Sequence, residues 1–487
     1  MSIATHFCDP LSWAQHHFGA APLGDARRSR RLVLLAAGWC RQPGASIPRL
    51  NQGQAGASKA AYRLLDHPQA TPDAFQQPHR HVVSHQLQAP GTYLLLEDTT
   101  ELLWPEAATR RPGLGPVGPG TVRHQGVLLH SLLAAAWPAD GPAPSRAQRP
   151  PLPLLGLLDQ QFHVRQPAPD AEKAGPHNQA RLRQARARES ALWTQSLRAV
   201  GSPPPDTRWV VVADRGADVY EHLYQCQQQG LGFVVRAAQD RGLVVGPAKE
   251  PAGRLFERAR AQPSQGTLAL SLRGRPGQPA RQVTLHLSWS PPLALRAPQR
   301  PGGATGKGAP VAATVVRVWE VRADGIPGLE WLLLTDFPVT DLAQAQAVGR
   351  QYASRWLIEE FHKALKTGLG AERLQLQTAA RLFAAVAVLS VVALALVALR
   401  EHSRQQPDAP AERAGLSVSY LRVLRGQCQR PLTTVREVYY ALAGLGGHLG
   451  RAGDGPPGWQ TLWRGLLSLR QLVEGVRLAT QLRLEED

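Results

Sequence analysis

Five chemically active side chains recur at helical spacing in the segment YASRWLIEEFHKALK. They are Tyr352, Arg355, Glu359, Lys363 and Lys366. Residues at i, i+3, i+7, i+11 and i+14 share one face of a single α-helix, and Glu360 points elsewhere. A carboxylate flanked by cations on one face can ligate a metal ion while the cations bind phosphates. An ion-paired surface helix has similar residues, so the segment alone leaves a purely structural role open.

Two strand patterns upstream end in carboxylates. The apolar run of YLLLEDTT, 93–100, leads into Glu97 and Asp98, and that of WVVVADRGAD, 209–218, leads into Asp214. Both runs predict buried strands of a parallel or mixed sheet, with the acids at the strand tips, where active sites form. Because side chains alternate along a strand, one acid of the first pair faces the site, and we select Asp98. A turn or helix cap is the alternative role for each aspartate.

Together these motifs resemble the DDE transposases of the insertion-sequence-four family. The resemblance rests on EDTT at 97–100, ADRGAD at 213–218 and YxxRWxIEEFHKxxKTGxGAER at 352–373. Weaker similarity extends along nearly the whole chain. The resemblance implies an α/β fold with an RNase H-like, mixed-sheet catalytic core, flanked by a helical N-terminal DNA-binding domain and a helical C-terminal domain.

The resemblance also implies that Asp98, Asp214 and Glu359 form a catalytic, metal-binding triad. Two Mg²⁺ or Mn²⁺ ions roughly 3.5 to 4 Å apart would activate the attacking water or 3′-hydroxyl and stabilise the leaving oxygen. Oxygen ligands favour these ions over zinc, and the four cysteines show no zinc spacing. In the family the steps are nicking, hairpin closure of the transposon end, hairpin opening and strand transfer. The residues alone predict only metal-dependent phosphodiester chemistry.

Further residues are expected to contact double-stranded DNA. The resemblance gives phosphate contacts to Tyr352, Arg355 and Lys366, and Lys363 lies on the same predicted face. Trp331 opens the strand EWLLLTD, and the matching tryptophan of the family stacks on a flipped base. A core tryptophan is the alternative interpretation. The remaining predicted DNA-binding residues are Arg236, Arg27, Arg28 and Arg30.

Composition agrees with nucleic-acid binding. The chain carries 55 Lys and Arg against 37 Asp and Glu, a net charge of +18, with a sequence pI near 10.6. Such a surface attracts polyanions, and binding should weaken steeply with salt. High-GC coding bias also enriches arginine, so clustering is the better signal. One cluster lies at 27–31, and a second lies in a predicted basic helix at 178–200.

A chain of 487 residues can hold three or four domains. We predict an end-binding domain at 1–75, a catalytic core at 76–370 and a helical C-terminal domain at 371–487. The resemblance implies that the C-terminal domain forms a homodimer in the synaptic complex. The second aspartate and the glutamate are 359 minus 214, or 145, positions apart, and alternating apolar residues predict a β-rich insertion at 237–330. The Pro/Gly/Arg-rich stretch within it includes a basic loop at 300–307.

The segment Leu382 to Leu399 is uncharged and meets the minimum length of a membrane span. Its alanine content and the absence of a second span favour a buried helix, so no membrane partner is expected. The start of the chain lacks the pattern of a signal peptide, and the cysteines fit a reducing compartment. We therefore predict a bacterial cytoplasmic, nucleoid-associated protein.

Two departures from the family pattern matter. Gly216 stands where the family often has glutamate, and Leu357 replaces a commonly basic residue. Either change could lower activity by removing a contact near the site. Two rival hypotheses therefore remain: a catalytically silent copy that binds transposon ends and inhibits transposition, and a metal nuclease without end specificity.

Overall fold

The computed structural model describes residues 9–105, 111–118, 124–138, 151–166, 188–272, 281–298, 308–322, 328–451 and 454–486. Elements are numbered within these residues. The basic loop predicted at 300–307 and residues 178–187 of the basic helix predicted at 178–200 lie outside them.

The N-terminal region is helical, as predicted. Its helices are α1 Pro10–Phe18, α2 Ala26–Arg41, α3 Ile47–Leu50, α4 Ala55–Leu65 and α5 Pro72–Gln86. Asp9, Asp25 and Thr71 accept hydrogen bonds from the first-turn N–H groups of α1, α2 and α5, which satisfies donors that have no partner within a helix. Trp13 and Trp39 are buried between the helices.

The centre of the molecule is a mixed sheet. Its first strands are β1 Gly91–Pro105, the short β2 Gly115–Pro116, β3 His124–Trp137, β4 Leu154–His163, β5 Thr207–Ala213 and β6 Gly232–Arg236. The central order is β4-β3-β1-β5-β6, with β4, β3 and β1 antiparallel and β1, β5 and β6 parallel. Both faces are covered, which explains why the strands read as continuous apolar runs. Helices α6 Ala191–Val200 and α7 Tyr220–Gln229 belong to one covering layer.

The predicted β-rich insertion is observed, and it extends the same sheet. Its elements are β7 Gly242–Val245, β8 Glu250–Arg254, α8 Leu255–Arg260, β9 Gly266–Leu272, β10 Arg281–Trp289, β11 Leu293–Leu295 and β12 Val311–Trp319. Strand β13, Glu330–Thr335, pairs antiparallel with both β12 and β6. The insertion is therefore joined to the core by backbone hydrogen bonds and forms one edge of the sheet.

Helices follow the last strand. They are α9 Leu342–Ser354, α10 Trp356–Lys363, α11 Ala379–Gln405, α12 Val418–Cys428, α13 Val435–Leu445 and α14 Trp459–Glu486. Among the described helices, α11 alone is long and apolar enough to cross a bilayer, and 94% of its apolar window is buried inside the fold. It packs against α2, α4 and α5, against β4, and against α10, α13 and α14. The prediction of a buried core helix is confirmed.

Candidate active site

Strand register places Asp98 and Asp214 side by side. The parallel ladder between β1 and β5 runs from Gly91 opposite Thr207 to Glu97 opposite Ala213, and the next residues are the two aspartates. Asp214 follows the end of β5, as predicted, and its Oδ1 accepts a hydrogen bond from Gly216 N–H at 2.7 Å.

Asp98, by contrast, does not lie at a strand tip, and that prediction is wrong. Strand β1 continues to Pro105 because β3 pairs with it along its length, with Ser131 opposite Asp98. The pairing with the parallel strand β5 ends at Glu97, whereas the pairing with the antiparallel strand β3 continues to Pro105. One side of the strand is therefore open at Asp98, and the backbone there remains rigidly paired on the other side.

The two consecutive acids of β1 face opposite sides of the sheet. Glu97 is fully buried, and its Oε1 lies 2.9 Å from His130 Nε2. His222 Nε2 lies 3.5 Å from the other oxygen. The side chain of Asp98 retains 16% of its exposure. This alternation agrees with the choice of Asp98 as the acid that faces the site.

The sequence predicts a single α-helix for the signature segment. The structure shows two helices and a π-helical turn instead. Helix α9 ends at Ser354 and α10 starts at Trp356, because the backbone tightens at Arg355, whose N–H donates to the Tyr352 carbonyl at 3.0 Å. After Lys363 a wider π-helical turn, Ala364–Gly368, replaces the α-helix. Such turns recur at functional sites. Within it, Lys366 Nζ donates to the Glu101 carbonyl of β1 at 2.8 Å.

Arg355 lies between the candidate acids. Its guanidinium is hydrogen-bonded to Glu359, and its Nη1 lies 3.9 Å from Asp98 Oδ2. Burial raises the pKa of Asp98 to about 7, with repulsion from Asp214 adding to it and Arg355 opposing it. Glu359 raises the same pKa further. Asp98, Asp214 and Glu359 therefore interact across one small region, and Arg355 neutralises part of their charge.

The neighbouring acid of the signature segment has a different environment. Glu360 is buried; its Oε1 accepts from Trp356 Nε1 at 3.1 Å and its Oε2 accepts from Arg400 Nη1 at 2.6 Å. Arg400, on α11, also pairs with Glu401. As predicted, Glu360 points away from the stripe that carries Glu359, and it ties α10 to α11.

The donor chemistry of the three acids suits Mg²⁺ or Mn²⁺, because all their ligand atoms are hard carboxylate oxygens. A divalent cation would relieve the repulsion of Asp98 by Asp214 and Glu359. In the part of the chain that the structure describes, however, no three His, Cys, Asp or Glu side chains are already arranged around one ion position. The Glu359 carboxylate is engaged by a cation of the protein, the Arg355 guanidinium.

The predicted DNA contacts differ in accessibility. Trp331 and Tyr352 are both buried, with ring centroids 4.9 Å apart at an interplanar angle of 66°. Arg236 Nη2 donates to the Glu330 carbonyl at 2.8 Å, and Arg28 Nη1 donates to the Leu23 carbonyl at 2.7 Å. The exposed members of the set are Arg27, Arg30 and Lys363.

Sequence reasoning missed the buried residues that support the acids. From the sequence, no role was assigned to His130, His222, His362 or Arg400. His362 Nδ1 lies 3.8 Å from Asp98 Oδ2, and burial lowers the pKa of His362 to about 3. The available signal was a histidine or arginine inside an apolar run, as in VLLHSLLAAA, since such a residue is expensive to bury without partners.

Three family models match the chain in the order that these regions follow. The model described as Transposase DNA-binding matches residues 10–70, and the Transposase DDE domain matches 173–396. The Transposase Tn5 dimerisation domain matches 418–484. The chain belongs to the Tn5-like DDE transposases.

The matches relate directly to the site. The DDE-domain match contains Asp214 and Glu359, and Asp98 lies upstream of it. This transposase therefore carries a DNA-binding region, a DDE domain and a dimerisation region, and its family generally uses divalent metal ions. Helices of the first and last regions, α2, α4, α13 and α14, pack against the buried helix α11.

Proposed function

We propose that this DNA transposase is a cut-and-paste enzyme whose catalytic, metal-binding residues are Asp98, Asp214 and Glu359. It binds the terminal repeats of its element, nicks them, closes and opens a hairpin at each end, and transfers the freed 3′-hydroxyl into target DNA. The observation that carries the proposal is the β1–β5 register, which sets Asp98 beside Asp214, together with the packing of α10 against β1.

The central strand order supports an RNase H-like core. Three antiparallel strands, β4, β3 and β1, precede two parallel ones, β5 and β6, on the other side of β1. In such a core the first strand is central and the fourth lies parallel beside it, which brings acids from β1 and from the end of β5 to one place. The glutamate then has to come from a helix that covers the same face.

Two divalent ions, when bound, would activate the attacking oxygen and stabilise the leaving oxygen of an in-line phosphoryl transfer. The residues of the chain prepare for this chemistry. Asp98, with its raised pKa, releases its proton when it becomes a ligand. Glu359 would hold a cation only when its contact with Arg355 opens. Arg355, once released, is placed to bind a phosphate beside the scissile bond with its planar fork of donors.

The cations that follow Glu359 extend the phosphate-binding surface. Lys363 is exposed at the end of α10, and Lys366 is partly exposed and lies 3.3 Å from Glu372. Arg236 lies on the neighbouring strand β6. Trp331 and Tyr352 pack against each other, so stacking of Trp331 on a flipped base requires this pair to open when the hairpin forms. That opening is part of the proposal.

DNA binding and dimer formation agree with the surface of the two flanking regions. Arg27 is 95% exposed on α2, and Arg30 is exposed one turn later. On α14 the exposed apolar residues Val476, Leu478 and Leu482 offer a dimer contact. Trp459 and Trp463 are buried within the chain, so they fill a local core. We place the protein at the bacterial nucleoid in the cytoplasm, where a chain of charge +18 meets DNA.

The test uses the purified full chain and a plasmid that carries the flanking ends of its own element. Excision is measured with Mg²⁺ and with EDTA, for the wild type and for Glu359→Ala. Mg²⁺-dependent excision that is lost in the variant while end binding is retained supports the proposal. Binding without cleavage by the wild type would instead identify the silent inhibitor. Cleavage that ignores the ends would identify a nuclease.

A further inference from the structure

One imidazole bridges the two residues that flank Asp98. His130 Nε2 lies 2.9 Å from Glu97 Oε1, and His130 Nδ1 lies 2.7 Å from Thr99 Oγ1. His130 is on β3, directly opposite Thr99 in the antiparallel ladder. Because Glu97 and Thr99 point to one face of β1, the bridge lies on the face opposite the Asp98 side chain.

Thr99 connects this bridge to the Asp98 carboxylate. Its hydroxyl meets His130, and its backbone N–H donates to Asp98 Oδ1 at 2.9 Å. A change at His130 therefore reaches Asp98 through one intervening residue. The same imidazole holds the residue before Asp98 through Glu97, so the strand is fixed on both sides of the acid.

The surroundings of the bridge are rigid. His130 is fully buried, and the Trp193 ring of α6 meets it edge-on, with centroids 4.8 Å apart. Trp193 also meets His222, the second histidine near Glu97. A Cβ added at Gly216 would lie 2.9 Å from Trp193 Cζ2, so glycine at this position leaves the tryptophan room to pack here. Both ring nitrogens of His130 are paired, and a buried polar group that is paired on both sides holds one geometry.

We propose that His130 is a positioning residue for Asp98, acting through the Thr99 hydroxyl and the Glu97 carboxyl from behind the sheet. The inference rests on the proposed function, since it assumes that Asp98 is a metal ligand. When a residue that orients a metal ligand is removed, metal affinity or activity falls by about 10- to 100-fold. The effect should appear in metal affinity, which a role in folding alone would not change.

The test compares Thr99→Val, which removes the hydroxyl at nearly constant shape, with Thr99→Ser, which keeps it. His130→Gln serves as a second disruption of the bridge. Tyr93→Phe is the matched control, because it removes a hydroxyl from the same face of β1, where Tyr93 donates to the Gln86 and Ala89 carbonyls away from the site. For each full-length variant, Mn²⁺ is titrated by the electron paramagnetic resonance of the free ion. Binding of a terminal-repeat duplex in EDTA and the thermal midpoint are measured alongside.

We expect Thr99→Val to weaken Mn²⁺ binding by about 10- to 100-fold. Thr99→Ser and Tyr93→Phe should stay within about twofold of the wild type, and duplex binding in EDTA should be equal in all of them. Mn²⁺ affinity of wild-type strength in Thr99→Val overturns the inference, as does equal weakening in Thr99→Ser. The comparison of Thr99→Val with Thr99→Ser tests the inference even if His130→Gln does not fold.

Asp98→Asn separates this inference from the proposed function. If Asp98→Asn binds Mn²⁺ as tightly as the wild type, Asp98 is not a ligand, and the proposed function and the inference both fail. If Asp98→Asn loses Mn²⁺ and Thr99→Val does not, the proposed function stands and the positioning role of His130 is refuted.

Discussion

The guanidinium of Arg355 donates a hydrogen bond to the carboxylate of Glu359 and approaches Asp98 Oδ2 at 3.9 Å. A cation of the protein thus lies against two of the acids that would hold a metal ion. The side chain of Arg355 keeps 14% of its exposure and that of Glu359 keeps 32%, so solvent screens the contact only in part.

Arg355→Gln should therefore bind Mn²⁺ more tightly than the wild type when no DNA is present. A hydrogen bond to a charged group contributes about 1.5 kcal/mol to the stability of the metal-free state in which Arg355 binds Glu359. Loss of this bond corresponds to roughly a tenfold gain in Mn²⁺ affinity. Titration calorimetry measures the Mn²⁺ affinity of each protein. Arg350→Gln is the control, since Arg350 lies on α9, just before the break at Arg355, and donates a hydrogen bond to Gln346. Equal Mn²⁺ affinity in wild type and Arg355→Gln would show that the contact does not compete with metal.

The adjacent glutamates should separate catalysis from stability. Glu360→Ala removes a partner of the buried Arg400 and should lower the free energy of unfolding by about 3 kcal/mol. Glu359→Ala, at a half-exposed position, should abolish cleavage with less than about 1 kcal/mol of destabilisation. Denaturant titration and single-turnover nicking measure the two effects. A Glu359→Ala protein less stable than Glu360→Ala would contradict this assignment of roles.

Trp331 should matter for hairpin formation more than for nicking. Trp331→Leu keeps an apolar side chain in the core and removes the ring that would stack on a flipped base, and such stacking contributes about 1 to 3 kcal/mol per base. Hairpin yield should fall at least about tenfold while first-strand nicking persists, as resolved on denaturing gels. Trp319→Leu, a tryptophan on the neighbouring strand β12 whose ring packs under Arg317, is the control. An unchanged hairpin yield would leave Trp331 a core residue only.

Acid should loosen the junction between the N-terminal helices and the core through His79. Its Nε2 accepts from Leu157 N–H at 3.0 Å, its Nδ1 lies 3.0 Å from His17 Nδ1, and burial lowers its pKa to about 3. A depressed histidine pKa stabilises the fold above the unfolded value of 6.5, and this contribution is lost as pH falls from there toward 3. The free energy of unfolding should drop by up to about 1.4 kcal/mol per pH unit on account of this group.

The measurement is denaturant unfolding at several pH values between 7.5 and 5. His79→Gln should show a shallower decline than the wild type, because glutamine does not titrate. His81→Gln, exposed on the same helix, should decline as the wild type does. Parallel curves for wild type and His79→Gln would show that His79 does not contribute to the pH dependence.

Local patterns were enough to predict the central strands and the face of each acid. Apolar runs located β1 and β5, and alternation separated Asp98 from Glu97, because both properties depend on the neighbours of a residue along the chain. The choice of Glu359 over Glu360 followed from helical spacing for the same reason.

The features that sequence missed depend on distant partners. The length of β1 beyond Asp98 is set by β3, and the burial of Trp331 is set by Tyr352. The break at Arg355 occurs where that side chain meets Asp98 and Glu359. The His130 bridge needs the register of two strands. None of these partners can be read from spacing within one segment.

The buried helix α11 has a consequence for how the protein is made. It spans residues 379–405, so it leaves the ribosome after α2, α4, α5 and β4, the elements that cover much of it. The elements that cover one part of this membrane-like segment are therefore already synthesised when it emerges, whereas α13 and α14 follow it. Docking of α11 onto the earlier elements would compete with capture by the membrane-insertion machinery, and a gene truncated at its 5′ end would produce α11 without them.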